Sequence, residues 1–251
     1  QTTHNIYNKR NHIFNNMNKT EKYFLLPWLI LGLFLLLILS IYQLWFRYQI
    51  LYYFTILLFF GIPFWIYKDK IKIIIHNWKL NSSLKFIILG YAAVLLEEIF
   101  AALYNNLSEG FNIMLFLTRI GQFWLFNIFA FTGLIIGFYL LTLKIDFTRR
   151  EIFYISGFIG LFSERVINLF ITGNIIAGLI MTPIVAAVYG FIMTPAILSL
   201  EDNERKKTNF VIRYILAISV IWLIAIIATS ILVLLRTNYP FLFPPSEFIP
   251  E

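Results

Sequence analysis

Apolar side chains fill this chain in long runs, with neither the alternation of a strand nor the single stripe of a surface helix. Seven runs stand out, roughly 23–46, 49–67, 86–106, 121–144, 152–171, 175–199 and 213–236. About 20 consecutive apolar residues carry a helix across the hydrocarbon core of a bilayer, where backbone polar groups must be bonded within the chain. Each run therefore predicts a transmembrane helix, and together they predict an all-α polytopic membrane bundle of about seven spans. The polar pieces between runs are too short for a soluble domain. The chain divides into a polar segment at 1–22, one membrane domain at 23–236 and a tail at 237–251. Residues 1–22 hold no apolar stretch of their own and do not read as a signal peptide. The tail carries Pro240, Pro244, Pro245 and Pro250 among Phe241, Phe243 and Phe248, which predicts docking on a membrane surface or another subunit.

Charge orients the bundle. Only 13% of the 251 residues are Asp, Glu, Lys or Arg, against about 25% in soluble domains. Sixteen of the twenty basic residues fall on alternate connections. They are Lys9, Arg10, Lys19 and Lys22, then Lys68, Lys70, Lys72, Lys79 and Lys85, then Lys144, Arg149 and Arg150, then Arg205, Lys206, Lys207 and Arg213. The opposite side has Arg47, Arg119 and Arg236, while Arg165 lies inside a run. The positive-inside rule then predicts the N-terminus inside and the C-terminus outside, in a cell membrane. The net charge of +7 is an orientation signal here, and no nucleic-acid partner is expected.

Two connections add detail. Residues 68–85 mix their five lysines with Ile71, Ile73, Ile74, Ile75 and Trp78, which predicts a basic loop resting on the inner surface beside anionic lipid. Residues 111–119 are apolar without room to span, and read as an interfacial or re-entrant turn. Asn106-Leu107-Ser108 matches the glycosylation triplet on the expected outer side.

The candidate chemistry is a handful of polar residues inside the runs, where charge is costly and turns toward the bundle or a water-filled cavity. Glu97 and Glu98 sit in the third run. Ser163, Glu164, Arg165 and Asn168 sit in the fifth, Gln122 and Asn127 in the fourth, and Thr182 in the sixth. Counted along oppositely directed spans, Glu97, Glu164 and Thr182 reach a similar depth, so one polar cluster is expected. Gly90, Ala93, Glu97 and Ala101 share one helical stripe, and Gly157, Gly160, Glu164 and Asn168 share another. Small residues let helices approach, so both carboxylates are expected to face inward, with Gly133 and Gly137 as a further packing face. Pro183 and Pro195 each free a backbone carbonyl in the sixth run.

Leu96-Glu97-Glu98, the Gly-rich stretch Gly157 to Glu164, and Thr182-Pro183 through Gly190-Phe191 together resemble the PrsW-type and CAAX-protease-like (CPBP) intramembrane peptidases. The resemblance implies paired glutamates that activate water, a second acidic helix, and a third element ending in Gly-Phe. Thr182 stands where that third element would carry His, and Arg165 replaces the Asn expected after the second acid. The chain has no Cys, and His4, His12 and His76 lie outside the apolar runs. No metal and no cofactor are therefore expected, since a catalytic zinc wants three protein ligands. The resemblance then implies a relative that keeps the fold without the chemistry.

Three functions fit. The leading expectation is a non-catalytic subunit or scaffold of a larger membrane assembly. In that reading Glu97, Glu98, Glu164 and Arg165 form a mainly structural cluster with Arg119, Asn168 and Thr182, a glutamate pairing with Arg165 or Arg119 to fix helix register. The first alternative is an intramembrane peptidase using Glu97, Glu98 and Glu164. The second is a proton- or cation-coupled transporter using the same three carboxylates, although no internal repeat of the kind many transporters carry is visible.

Overall fold

The structure, a computed structural model, describes residues 20–41, 47–200 and 209–243. Expectations placed on 1–19, Trp45, Arg205 to Lys207 and the tail beyond 243 lie outside the described residues. The architecture is all-helical. Helix α1 (Leu26–Ile41) follows a π-helical turn at Glu21–Leu25. Helix α2 (Arg47–Ile56) runs through a second π-helical turn, Leu57–Gly61, into α3 (Ile62–His76). Then come α4 (Ser82–Ser108), α5 (Ile113–Thr142), α6 (Arg149–Ser163), α7 (Val166–Ile171), α8 (Ile175–Ser199) and α9 (Phe210–Asn238).

Five helical stretches are long and apolar enough to cross a bilayer: Tyr23–Ile41, Ser82–Ser108, Ile113–Thr142, Ile175–Ser199 and Phe210–Asn238. A bent pair, Ile50–Phe64 and Ile66–His76, makes a sixth if counted as one span. The fifth apolar run differs from its expectation. It is two pieces, α6 of 15 residues and α7 of 6, and neither alone reaches the ~20 residues a span needs.

Two connections also differ. The basic stretch after residue 67 is helix as far as His76, turned by 69° from the segment before it. Lys68 and Lys72 lie one turn apart on it, as do Ile71 and Ile75, and hydropathy alone hides that helix. Residues 113–119 are the first turns of α5, capped by Asn112, whose Oδ1 accepts from the N–H of Met114 and Leu115. No re-entrant turn forms there.

Helix α8 is the hub, with 67% of its most apolar stretch enclosed, against 17% for α9 and 11% for α1. Close approaches explain the packing. A Cβ on Gly133 would lie 2.6 Å from the Cβ of Ala225, so α5 and α9 meet nearly backbone to backbone. Pro183 cannot donate to the carbonyl of Leu179, one turn earlier. The indole of Trp28 on α1 fills that vacancy, its Nε1–H donating to Leu179 O at 2.9 Å. At one end of the bundle, Thr148 and Glu151 form a reciprocal cap on α6, and Glu151 also takes Arg213 of α9 at 2.6 Å.

Candidate intramembrane carboxyl site

Glu97 and Glu98 lie on α4, whose Gly90 and Ala93 let neighbouring helices close over that face. Both glutamates are buried. Adjacent helical positions point 100° apart, so burying both requires protein on two sides of α4, and α5 and α8 supply it with α2. The hydroxyl of Tyr52 on α2 donates to Glu97 Oε1. Glu98 follows Glu97 directly on α4, so two buried carboxyl groups are sequence neighbours there. One turn along, Thr55 and Tyr104 join their hydroxyls between α2 and α4.

Glu164 ends α6. The chain then makes a left-handed step at Arg165, φ 53°, the one non-glycine residue with positive φ among the described residues. This conformation costs a non-glycine residue roughly 1–2 kcal/mol. Glu164 Oε1 accepts from the hydroxyl of Tyr189 on α8 at 2.8 Å. The Tyr189 ring is stacked on Phe131 of α5, with centroids 5.5 Å apart. Gly160 sits against that ring, so close that a Cβ there would fall 2.4 Å from Tyr189 Cγ. Glu164 is near enough to act electrostatically on both Glu97 and Glu98, and Tyr53 of α2 also feels its charge. Beside the break lies a cavity of about 230 Å³ whose polar lining is Tyr53, Glu164 and Arg165.

The structure thus brings Glu97, Glu98 and Glu164 into one electrostatic neighbourhood. It leaves out several expected members. Arg119 is buried, yet its partner is Glu109 at 2.7 Å. Among the described ion pairs none reaches Glu97 or Glu98. Arg165 lines the cavity and is exposed, as are Glu164 before it and Asn168 after it. Thr182 spends its hydroxyl on Gly178 O one turn back. Asn106 is wholly buried, its Oδ1 accepting from Asn112 N, so the glycosylation triplet is closed to a transferase.

The residues missed by sequence reasoning are Tyr52, Tyr53 and Tyr189. A phenol inside an apolar run is itself a signal, because its hydroxyl must find a partner where there is no water. Among the described residues no three of His, Cys, Asp and Glu are grouped so as to hold a metal ion. Two adjacent buried carboxyls, one of them facing a tyrosine donor, can instead hold one proton between them. No family model, curated protein or solved structure matches this chain.

Proposed function

We propose that this chain is a multi-pass cell-membrane protein that takes up a proton at the Glu97–Glu98 pair and couples its movement to a solute, the transporter class of function. The observation that carries this reading is the pairing itself. Glu97 and Glu98 are adjacent and buried, Glu97 accepts from Tyr52, and no cation is among their described partners. A register-fixing strut needs a counter-ion beside the carboxylates, and Arg119 is engaged with Glu109 instead. Uncompensated carboxyl groups in a bilayer mark proton relays and ion paths. Glu164, held by Tyr189, extends the relay from the buried pair to the cavity.

In this proposal the membrane domain has seven segments, the fifth broken at Arg165, with the N-terminus inside and the C-terminus outside. A broken segment whose irregular backbone lines a cavity is the arrangement membrane carriers tolerate at a binding site. The test is proton uptake into liposomes carrying purified protein and an internal pH dye, driven by an imposed potential. Wild type should acidify the lumen, and Glu97→Gln and Glu98→Gln should each remove most of the signal. Equal uptake by wild type and both variants would sink the reading.

A further inference from the structure

We propose that α3 and the turn after it form a docking surface for anionic phospholipid, seated along one face of the membrane. The helix suits neither of the simpler places. Lys68, Asp69, Lys70 and Lys72 stand within Ile62–His76, and charges at that density are too costly for the hydrocarbon core. Yet Ile66, Ile73, Ile74 and, just past the helix, Trp78 are exposed, and in water that apolar surface would stand uncovered. The boundary between headgroups and acyl chains satisfies both demands.

The geometry agrees. The axis turns by 69° from the segment before it. Membrane spans tilt on average about 20° from the bilayer normal, so a helix turned this far from a span lies within roughly 40° of the membrane plane. Ile66, Lys70, Ile73 and Ile74 follow the spacing i, i+4, i+7, i+8 and share one face. Ile75, on the far side of the helix, is buried, and α3 packs on α8. The exposed face therefore points away from the bundle. Lys70 stands among its isoleucines and is exposed. A lysine there can lay its stem along apolar neighbours while the ammonium reaches the phosphates. Trp78 suits the same level, and Lys79 beside it is exposed.

Charge selects the lipid. Residues 62–85 hold five lysines and one acid, Asp69, a net of +4 (5 − 1). Lys85 is withdrawn from the surface, buried with its Nζ donating to His76 O at 3.0 Å. Among the described residues no ion pair takes Lys68, Lys70 or Lys79. Each lysine close to an anionic leaflet strengthens the attraction about five-fold, and a neutral leaflet offers no such field. The surface is also ready-made. Lys85 satisfies a carbonyl at the end of α3, and Asn81 starts α4 by accepting from Leu84 N at 2.7 Å. Lipid thus meets a formed helix, and no ordering cost opposes its binding.

The chain has no Cys, so full-length protein can carry a bimane fluorophore at Ile73→Cys alone. It is reconstituted in vesicles mixing phosphatidylcholine and phosphatidylglycerol, with a quenching nitroxide shallow or deep on the acyl chain of one lipid or the other. The shallow nitroxide should quench more than the deep one. Phosphatidylglycerol should quench about five-fold more strongly than phosphatidylcholine, the effect of one lysine at an anionic surface. A bimane at Gly110→Cys, beyond the other end of α4, should report the two lipids equally. Lys68→Gln, Lys70→Gln and Lys79→Gln together should erase the preference at Ile73→Cys and leave the depth unchanged. Lys72 has another partner and stays. Should the triple variant not fold, salt at about 1 M, where the Debye length is ~3 Å, should erase the preference of the labelled protein with its lysines intact. The proposal is overturned by a bimane at Ile73→Cys that neither lipid quenches, or that the deep nitroxide quenches best. Equal quenching by the two lipids, the same preference at Gly110→Cys, or a preference that survives the lysine changes or the salt would overturn it too.

Discussion

A methyl group at position 160 would put a carbon 2.4 Å from Cγ, 2.5 Å from Cδ2 and 2.9 Å from Cβ of Tyr189. These atoms are the base of the ring, not a flexible tip, so Gly160→Ala cannot be absorbed by a small swing of the side chain. Either α6 retreats from α8 or the Tyr189 ring leaves its place between Gly160 and Phe131. Overpacking of this sort costs about 1–3 kcal/mol. Displacing the ring adds the hydrogen bond to the Glu164 carboxylate, about 1.5–3 kcal/mol, and part of a stacked aromatic pair, about 0.5–1.5 kcal/mol. The expected destabilisation is therefore about 1–3 kcal/mol if α6 retreats, and about 3–7 kcal/mol if the ring is displaced as well. Tyr189→Phe keeps ring and stack and removes only the hydroxyl, so it should cost about 1–3 kcal/mol. Both variants can be measured by reversible unfolding in mixed micelles with rising SDS, followed through the tryptophan fluorescence. Gly160→Ala unfolding together with wild type would refute the close approach. Tyr189→Phe costing as much as Gly160→Ala would show that the hydroxyl, not the packing, holds these helices.

The other predictions concern the two ends of the bundle. Glu151→Ala removes both the reciprocal cap on α6 and the acceptor of Arg213, and should lower stability by about 2–4 kcal/mol in the same unfolding assay. Expressed in a glycosylating host, the chain should show no gel shift that Asn106→Gln abolishes, because Asn106 is enclosed. The chain has no Cys, so single cysteines at Gly110 and Asp146 can be tested with an impermeant maleimide. They should label from opposite sides of sealed vesicles, and labelling from one side would undo the proposed topology.

Length and apolarity made five stretches long enough to span legible, because a bilayer imposes one requirement on every span. Where the structure departs from that reading, a local feature competes with hydropathy. At 68–76 the lysines lower mean hydropathy without disturbing helix formation, so a helix reads as a loop. At 163–165 the only polar triplet in the fifth run marks a helix break, but its residue types do not say that Arg165 turns left-handed. The glutamates were legible because charge in an apolar run is conspicuous. Their partners were harder to see. Arg119 looked like a counter-ion within the membrane, and Glu109 of the adjoining connection takes it instead. Tyr52 and Tyr189 blend into a chain with 14 tyrosines, and their roles depend on which helices meet.

The bond from Trp28 to Leu179 sets an order of assembly. The two partners are 151 residues apart, so the ribosome finishes α1 long before the acceptor exists. At about 5–20 residues per second the interval is roughly 10–30 s. Through that time the first helix can reside in the bilayer as a lone apolar rod, its indole without the carbonyl it will occupy. Pro183 then delivers an acceptor that no helical N–H can claim. Docking of α1 thus awaits Pro183 of α8, and newly made protein stalled before α8 should hold its first helix loosely.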